Sequence, residues 1–440
     1  MREPAPTRRP WPSLAPLAGF AGLTAAYVST SFGVVVAPQV ALIAAAAVGG
    51  LALVAVGAWA PLVTLLSVRM FGDVGTVVGH VATFAVGALA VAIVALALVA
   101  PLQGRGRSVL VTIYTLLALS VGWAAVGYGD ASGFAREWLR LGSVAALAIL
   151  ALSAAQRAGS IERLLRIALA TAVIPAFVAL AQFGTGHVAE QGRAYGTFSH
   201  PNAAGAVFAF ALLISLALAL RTRRPLDWSF VLLFCAAVFT TRSLGSLAAT
   251  MIGVLALTHF RLRGVKRGLL FAGIVGALLV FALSPIGAER VSELQSTTSY
   301  SAAAQGHITN SLDWRFLNWH LLLGVWREHP LFGTGQSSTR EFVQPLGTLP
   351  HNEYVRVLVE GGVVGALVVA FGFLCLIRAV WRRPSSTLAG SVGRALVIAV
   401  LVDGVADNLF NYTPAIYLVA VGIGLALGAS RVEAREEAPA

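Results

Sequence analysis

Residues 203–220 read AAGAVFAFALLISLALAL, an apolar run with no charge along its length. A hydrocarbon core about 30 Å thick takes roughly 20 helical residues, and only a helix or a closed barrel satisfies its own backbone hydrogen bonds in lipid. The run therefore predicts a membrane-spanning helix. Its flanks differ in kind. On one side Arg221, Arg223 and Arg224 follow at once; on the other lies GTGHVAEQGRAYGTFSHPN, residues 184–202, rich in glycine and carrying a single arginine, Arg193.

The same alternation runs outward along the chain. Further apolar segments lie at 14–37, 40–60, 74–99, 108–128, 138–155, 167–183, 228–241, 244–260, 268–283, 354–380, 392–408 and 414–429, interrupted by a polar stretch at 284–350. With 440 residues, 58% of them hydrophobic and 11% charged, and a mean hydropathy of +0.81, the composition is that of a polytopic membrane protein. The fold class expected is all-α, a transmembrane bundle of about twelve crossings, with thirteen if both segments before Pro61 span fully. The expected divisions are 1–283, a first bundle of ten apolar segments; 284–350, a long, partly helical outer loop; and 351–440, the last helices and a tail. The basic start at Arg2, Arg8 and Arg9 precedes an apolar segment without a small-residue cleavage site, so the first segment is expected to be retained.

The formal net charge of +12 does not point to nucleic acid, because the arginines cluster in short connectors between apolar segments. Such connectors mark the cytoplasmic side. Arg105/Arg107, Arg157/Arg163/Arg166, Arg221/Arg223/Arg224, Arg261/Arg263/Lys266/Arg267 and Arg378/Arg382/Arg383 alternate with connectors at 130–137, 184–202, 241–243, 284–350 and 411–413. The second set is expected to face outward, with both termini inside. Cys235 and Cys375 lie in apolar runs, which leaves neither a disulfide framework nor a zinc site.

Polar groups concentrate on the outward set. In 184–202, Asn202 can cap the helix that follows, with His200 beside it; the helix start and Arg193 together can seat an anion, or Arg193 can simply snorkel to the interface. Arg242 has almost no loop around it in FTTRSLGSLAATM and needs an anion or a carboxylate such as Glu353. In the long loop, Arg290 sits in a Ser-, Thr- and Ala-rich part. A helix is expected over about 313–329, capped by Ser311 or Asp313, stopped by Pro330, with Trp314, Leu317, Leu321 and Val325 as an apolar stripe and Arg315, Asn318 and Arg327 facing elsewhere. His307, His320 and His329 are read as solvated or packed.

The stretch 351–365, HNEYVRVLVEGGVVG, opens the next span. Asn352 can cap it, Glu353 and Glu360 fall on roughly one face, and Gly361, Gly362 and Gly365 allow another helix to approach. His351 stands just outside the helix start. Imidazole titrates near neutrality and can accept a proton from an attacking hydroxyl. There is no P-loop and no Asp-x-Asp pair, so no metal and no cofactor is expected; arginines would neutralise a phosphate, which suits attack by a hydroxyl on a lipid-linked pyrophosphate donor.

Four stretches together resemble the bacterial O-antigen ligase and polymerase superfamily of polytopic glycosyltransferases: RAYGTFSHPN at 193–202, TRSLGS at 241–246, DWRFLNW leading to HPLFGTGQ in the outer loop, and HNEYVRVLVEGGVVG. The resemblance covers about 184–380. It implies a GT-C-like fold in the bacterial inner membrane and periplasmic, metal-independent transfer of a glycan from undecaprenyl pyrophosphate. In the ligase subgroup the acceptor is a sugar hydroxyl of lipid A-core. By the same resemblance His351 is the base, Arg193, Arg242 and Arg290 or Arg315 contact the pyrophosphate, and His200, Asn202, Asn352 and Glu353 support them. A polymerase of lipid-linked repeats and a protein O-oligosaccharyltransferase share these residues. A lipid or solute transporter is the reading from another class; the one-sided clustering of polar groups weighs against it.

Overall fold

The computed structural model describes residues 131–157, 161–262, 310–339 and 349–429, with isolated positions between 66 and 70 and between 264 and 302. Among the described residues the regular elements are helical: α1 (Ala131–Arg157), α2 (Ile161–Thr185), α3 (Pro201–Thr222), α4 (Pro225–Thr241), α5 (Leu244–Arg261), α6 (Ser311–Glu328), α7 (Glu353–Trp381), α8 (Leu388–Ala406) and α9 (Thr413–Gly428). Single 3₁₀ turns lie at Glu190–Gly192 and Leu409–Asn411. Five of the described helices, α2, α3, α5, α7 and α8, are long and apolar enough to cross a membrane. The expected segments before residue 131, and most of 268–283, lie outside the described residues, as does Arg290.

The run that predicts a span is the hub. α3 is apolar all round, and 94% of its most apolar window is buried, as expected of a helix enclosed by others. α2, α4, α5, α8 and α9 pack around it. In lipid, apolarity does not drive helices together, so close fit must. α9 shows how: a Cβ on Gly424 would lie 2.3 Å from the carbonyl oxygen of Ala148, and one on Gly428 2.4 Å from that of Leu152, so only glycine lets α9 lie along α1. α7 is the opposite of α3. Only 11% of its window is buried, and Leu367, Phe371 and Leu374 point outward.

Charge fastens the basic end. Arg166 on α2 makes two 2.8 Å hydrogen bonds to the fully buried Asp227 on α4, and Thr222 at the end of α3 donates to the same carboxylate. The α3–α4 connection turns at Arg223, in the left-handed region at φ 54°, whose N–H closes on Ala219; Pro225 then opens α4.

Several local expectations shift. α8 ends at Ala406, so Asp407 and Asn408 stand outside the helix that the sequence extends through 408. α6 starts at Ser311, but its cap is Asn310, whose Oδ1 accepts from the N–H groups of Leu312 (2.9 Å) and Asp313 (3.1 Å). The buried line on α6 is Asp313, Asn318 and Leu322, while Leu321 from the expected stripe is exposed. Leu322 packs with Val325 and Trp326 against Val355 and Val359 of α7, so α6 lies on the bundle.

Candidate active site at the start of α7

α6 and the α8–α9 connection set where His351 sits. Trp319 Nε1 donates to the Pro350 carbonyl at 2.6 Å, and Asn318 to that of Leu349 at 3.5 Å, fixing the chain just before the histidine. Asn352 caps α7 as expected, accepting from Tyr354 N (2.9 Å) and Val355 N (3.1 Å). His351 takes a φ of 50°, a left-handed conformation uncommon for a residue with a Cβ. Its N–H is held by Asn408 Oδ1 at 2.8 Å. The turn throws the imidazole out of the helix and onto the α8–α9 connection.

There Nδ1 of His351 lies 3.0 Å from Asp407 Oδ1. The same oxygen accepts from the Tyr412 hydroxyl at 2.5 Å and the Asn408 N–H at 3.0 Å. Burial alone would raise the Asp407 carboxyl, but the hydrogen bonds from His351 and Tyr412 outweigh it and hold the group below its ordinary range. Burial, together with the Asp407 charge, pushes the Tyr412 phenol well up, so it stays a donor. An ionised carboxylate only accepts, so Nδ1 of His351 carries the hydrogen, and in the neutral ring the lone pair is on Nε2.

Around this pair stand Trp314, edge-on to His351 with ring centroids 5.9 Å apart, and His200, 6.3 Å from His351 and stacked on Tyr412 at 6.5 Å. Burial lowers His200 to about 4, and the nearby charges of Arg193 and Arg315 add to this against Asp407. His200 is therefore a neutral ring at physiological pH. It is also the true cap of α3: its Nδ1 accepts from Asn202 N at 3.1 Å, whereas Asn202 lies one residue inside the helix. Pro201 at the first helical position places the cap at the residue before it.

The arginines separate. Arg193 donates from Nε to the Thr241 carbonyl at 3.0 Å and from Nη2 to Asn202 Oδ1, which puts it at the α3 start. Arg315 donates to the Ala406 carbonyl at 2.8 Å, at the root of the Asp407 turn. These two flank His200 and His351. Arg242 instead braces the preceding loop: Nη1 donates to the Gln191 carbonyl at 2.8 Å and the guanidinium lies over Phe183, 5.8 Å from its centroid.

Glu353 serves another purpose. It forms a buried cluster with Arg356, 3.4 Å away, which also meets Glu360 at 3.3 Å and Asn411 Oδ1 at 3.3 Å. The second Glu353 oxygen accepts from Phe410 N at 2.7 Å, tying α7 to the turn that carries Asp407 and Tyr412. The glycines also differ from expectation. At Gly362, φ 62° and ψ −168° interrupt α7, and what enters is the loop after α6, not a helix. Val363 N and Val364 N donate to Pro330 and Leu331, while Thr334 N and Gly335 N donate to Val359 and Glu360, all at 2.9 to 3.0 Å. A Cβ on Gly362 would sit 2.3 Å from the Leu331 carbonyl oxygen, and one on Gly333 2.5 Å from that of Glu360.

Asp407, Tyr412, Asn408 and Arg356 are the site residues the sequence reading passes over. The signal for Asp407 was present, since an acid at the edge of an apolar segment is a functional candidate by default. Among the described residues no three His, Cys, Asp or Glu side chains are grouped to hold a metal ion. Residues 228–370 match the family model described as O-antigen ligase. The match runs from α4 past the break in α7 and includes Arg242, Arg315 and His351; Arg193, His200, Asp407 and Tyr412 lie outside it. No curated protein matches the chain.

Proposed function

We propose that this chain, whose segment 228–370 carries the O-antigen ligase match, is a periplasm-facing glycosyltransferase of the bacterial inner membrane. It moves a glycan from undecaprenyl pyrophosphate to a sugar hydroxyl of lipid A-core. The observation that carries this reading is the Asp407–His351 pair: a 3.0 Å contact at Nδ1 leaves Nε2 as a base in a cluster that also holds Arg193 and Arg315.

In the proposed reaction Nε2 of His351 takes the proton of the acceptor hydroxyl as its oxygen attacks the anomeric carbon of the donor. The bond from that carbon to the pyrophosphate oxygen breaks, and undecaprenyl pyrophosphate leaves with the electron pair. Asp407 stabilises the imidazolium that forms, and general-base assistance of this kind contributes about 10²- to 10⁴-fold. Arg193 and Arg315, at the α3 start and beside Ala406, supply positive charge for the leaving pyrophosphate, with Arg290 as a further candidate. Arg242 shapes the loop that carries Arg193. Phosphate neutralisation by arginine predicts that chelators leave the rate unchanged; metal-reversible loss of transfer would contradict it.

The test of the acceptor is direct. Purified, reconstituted protein receives lipid-linked glycan together with either lipid A-core or a second lipid-linked glycan. The ligase reading predicts extension of lipid A-core. Extension of the lipid-linked glycan alone would make the chain a polymerase, and transfer to neither would overturn the reading.

A further inference from the structure

A cavity of about 740 Å³ runs between α1, α7 and α9, within the roughly 300–1,000 Å³ of small-ligand sites. Its walls are hydrocarbon for most of their length: Val144 and Ile149 of α1, Val368 and Gly372 of α7, Val419 and Ile423 of α9. Its two ends carry different charge. At the end near His351 are Glu353, Arg356 and Glu360, already joined in one buried cluster, with Arg140 sharing Asn411 Oδ1 with Arg356. At the far end are Arg378 and Arg382, one helical turn apart on α7 and both exposed.

Those two arginines differ from their neighbours. Arg383 donates to the carbonyls of Ala429 and Leu427, and Arg394 donates to those of Trp381 and Arg383 while lying over Phe260 and Trp381. Neither the Arg378 nor the Arg382 guanidinium has a partner among the described residues. From Arg378 back to Gly365 the α7 wall measures about 20 Å at roughly 1.5 Å per residue, more than one leaflet of a core about 30 Å thick.

We propose that this trough binds an anionic glycerophospholipid, its phosphate at Arg378 and Arg382 and one acyl chain laid along α7 between α1 and α9. Charge selects the occupant. An apolar protein segment brings no anion, and the phosphate of a zwitterionic lipid comes with a cation of its own beside it. At the His351 end, by contrast, Arg356 is already paired with Glu353 and Glu360. The bound lipid fills the gap between α1 and α7 that side chains leave open, and so steadies the outer part of α7 that presents His351. This site is independent of the proposed reaction.

The test uses the full chain in detergent, titrated with phosphatidylglycerol or with phosphatidylcholine of the same acyl chains, and retained lipid is counted by native mass spectrometry. Wild type is expected to favour phosphatidylglycerol by roughly 30-fold, the order that two headgroup-facing arginines supply. The doubly substituted Arg378→Gln/Arg382→Gln protein is expected to lose that preference. Val368→Phe, which fills the trough and keeps both arginines, is expected to lower phosphatidylglycerol retention as well. Equal retention of the two lipids by wild type, an unchanged preference in the arginine variant, or full retention in Val368→Phe would each overturn the proposal.

Discussion

In the proposed reaction Asp407 makes His351 a directed base, and substitutions test this at the residue itself. Asp407→Asn keeps the shape but can present its amide N–H to Nδ1, which turns the lone pair away from Nε2. Transfer in Asp407→Asn is expected to fall by roughly 10²- to 10⁴-fold in kcat with KM little changed. An equal loss in KM with kcat intact would mean that Asp407 only shapes the acceptor site. His200 acts on stability. Its pKa is lowered to about 4, chiefly by burial, from an ordinary value of 6.5. The folded state therefore binds fewer protons than the unfolded chain between those values, and stability present above pH 6.5 is lost as pH falls towards 4. His200→Asn keeps a capping oxygen without a titrating ring. Its thermal midpoint is expected to fall less than that of wild type between pH 7 and pH 5; parallel decline would show that another group controls the acid limb.

Among the elements, the break in α7 carries the most consequence. The loop after α6 and the segment around Gly362 exchange backbone hydrogen bonds that a continuous helix would forbid. Gly362→Ala puts a Cβ against the Leu331 carbonyl at a positive φ, a strain of about 1–3 kcal/mol before any clash is relieved. It is expected to loosen the α6 loop, seen as faster proteolysis around 330–335 and reduced transfer; resistance equal to wild type would remove the clamp from the account. At the other end of the bundle, Asp227→Asn leaves the partly buried Arg166 with only Glu162, 3.7 Å away, as a carboxylate partner. A loss of about 3 kcal/mol is expected from breaking one side of such a pair, read as a lowered thermal midpoint. A shift within error would mean that solvent already compensates Arg166.

At the scale of the molecule, apolar runs and punctuation made most described helices legible. α3, α4, α5 and α7 begin and end within a few residues of the runs that predict them, because Pro201, Pro225, Ser243 and Asn352 open helices by local chemistry alone. What depends on distant partners was not legible. Gly362 read as helix packing because sequence cannot tell which backbone approaches it, and it is a loop. The hold of Arg242 on the preceding loop was not legible because the Gln191 carbonyl is a backbone atom 51 residues away in sequence. Asp407 was concealed by its place next to an apolar run, where it seemed part of a span until α8 ended one residue before it. The place of His351 just before the start of α7 was legible from Pro350 and Asn352; its partner Asp407 was not. The central claim is that His351 removes the acceptor proton. It is tested by the rate at which His351→Ala transfers glycan from purified lipid-linked donor to lipid A-core in liposomes, beside wild type and with folding checked by thermal midpoint. A fall of about 10²-fold or more in a folded protein is predicted; transfer near the wild-type rate would contradict the account.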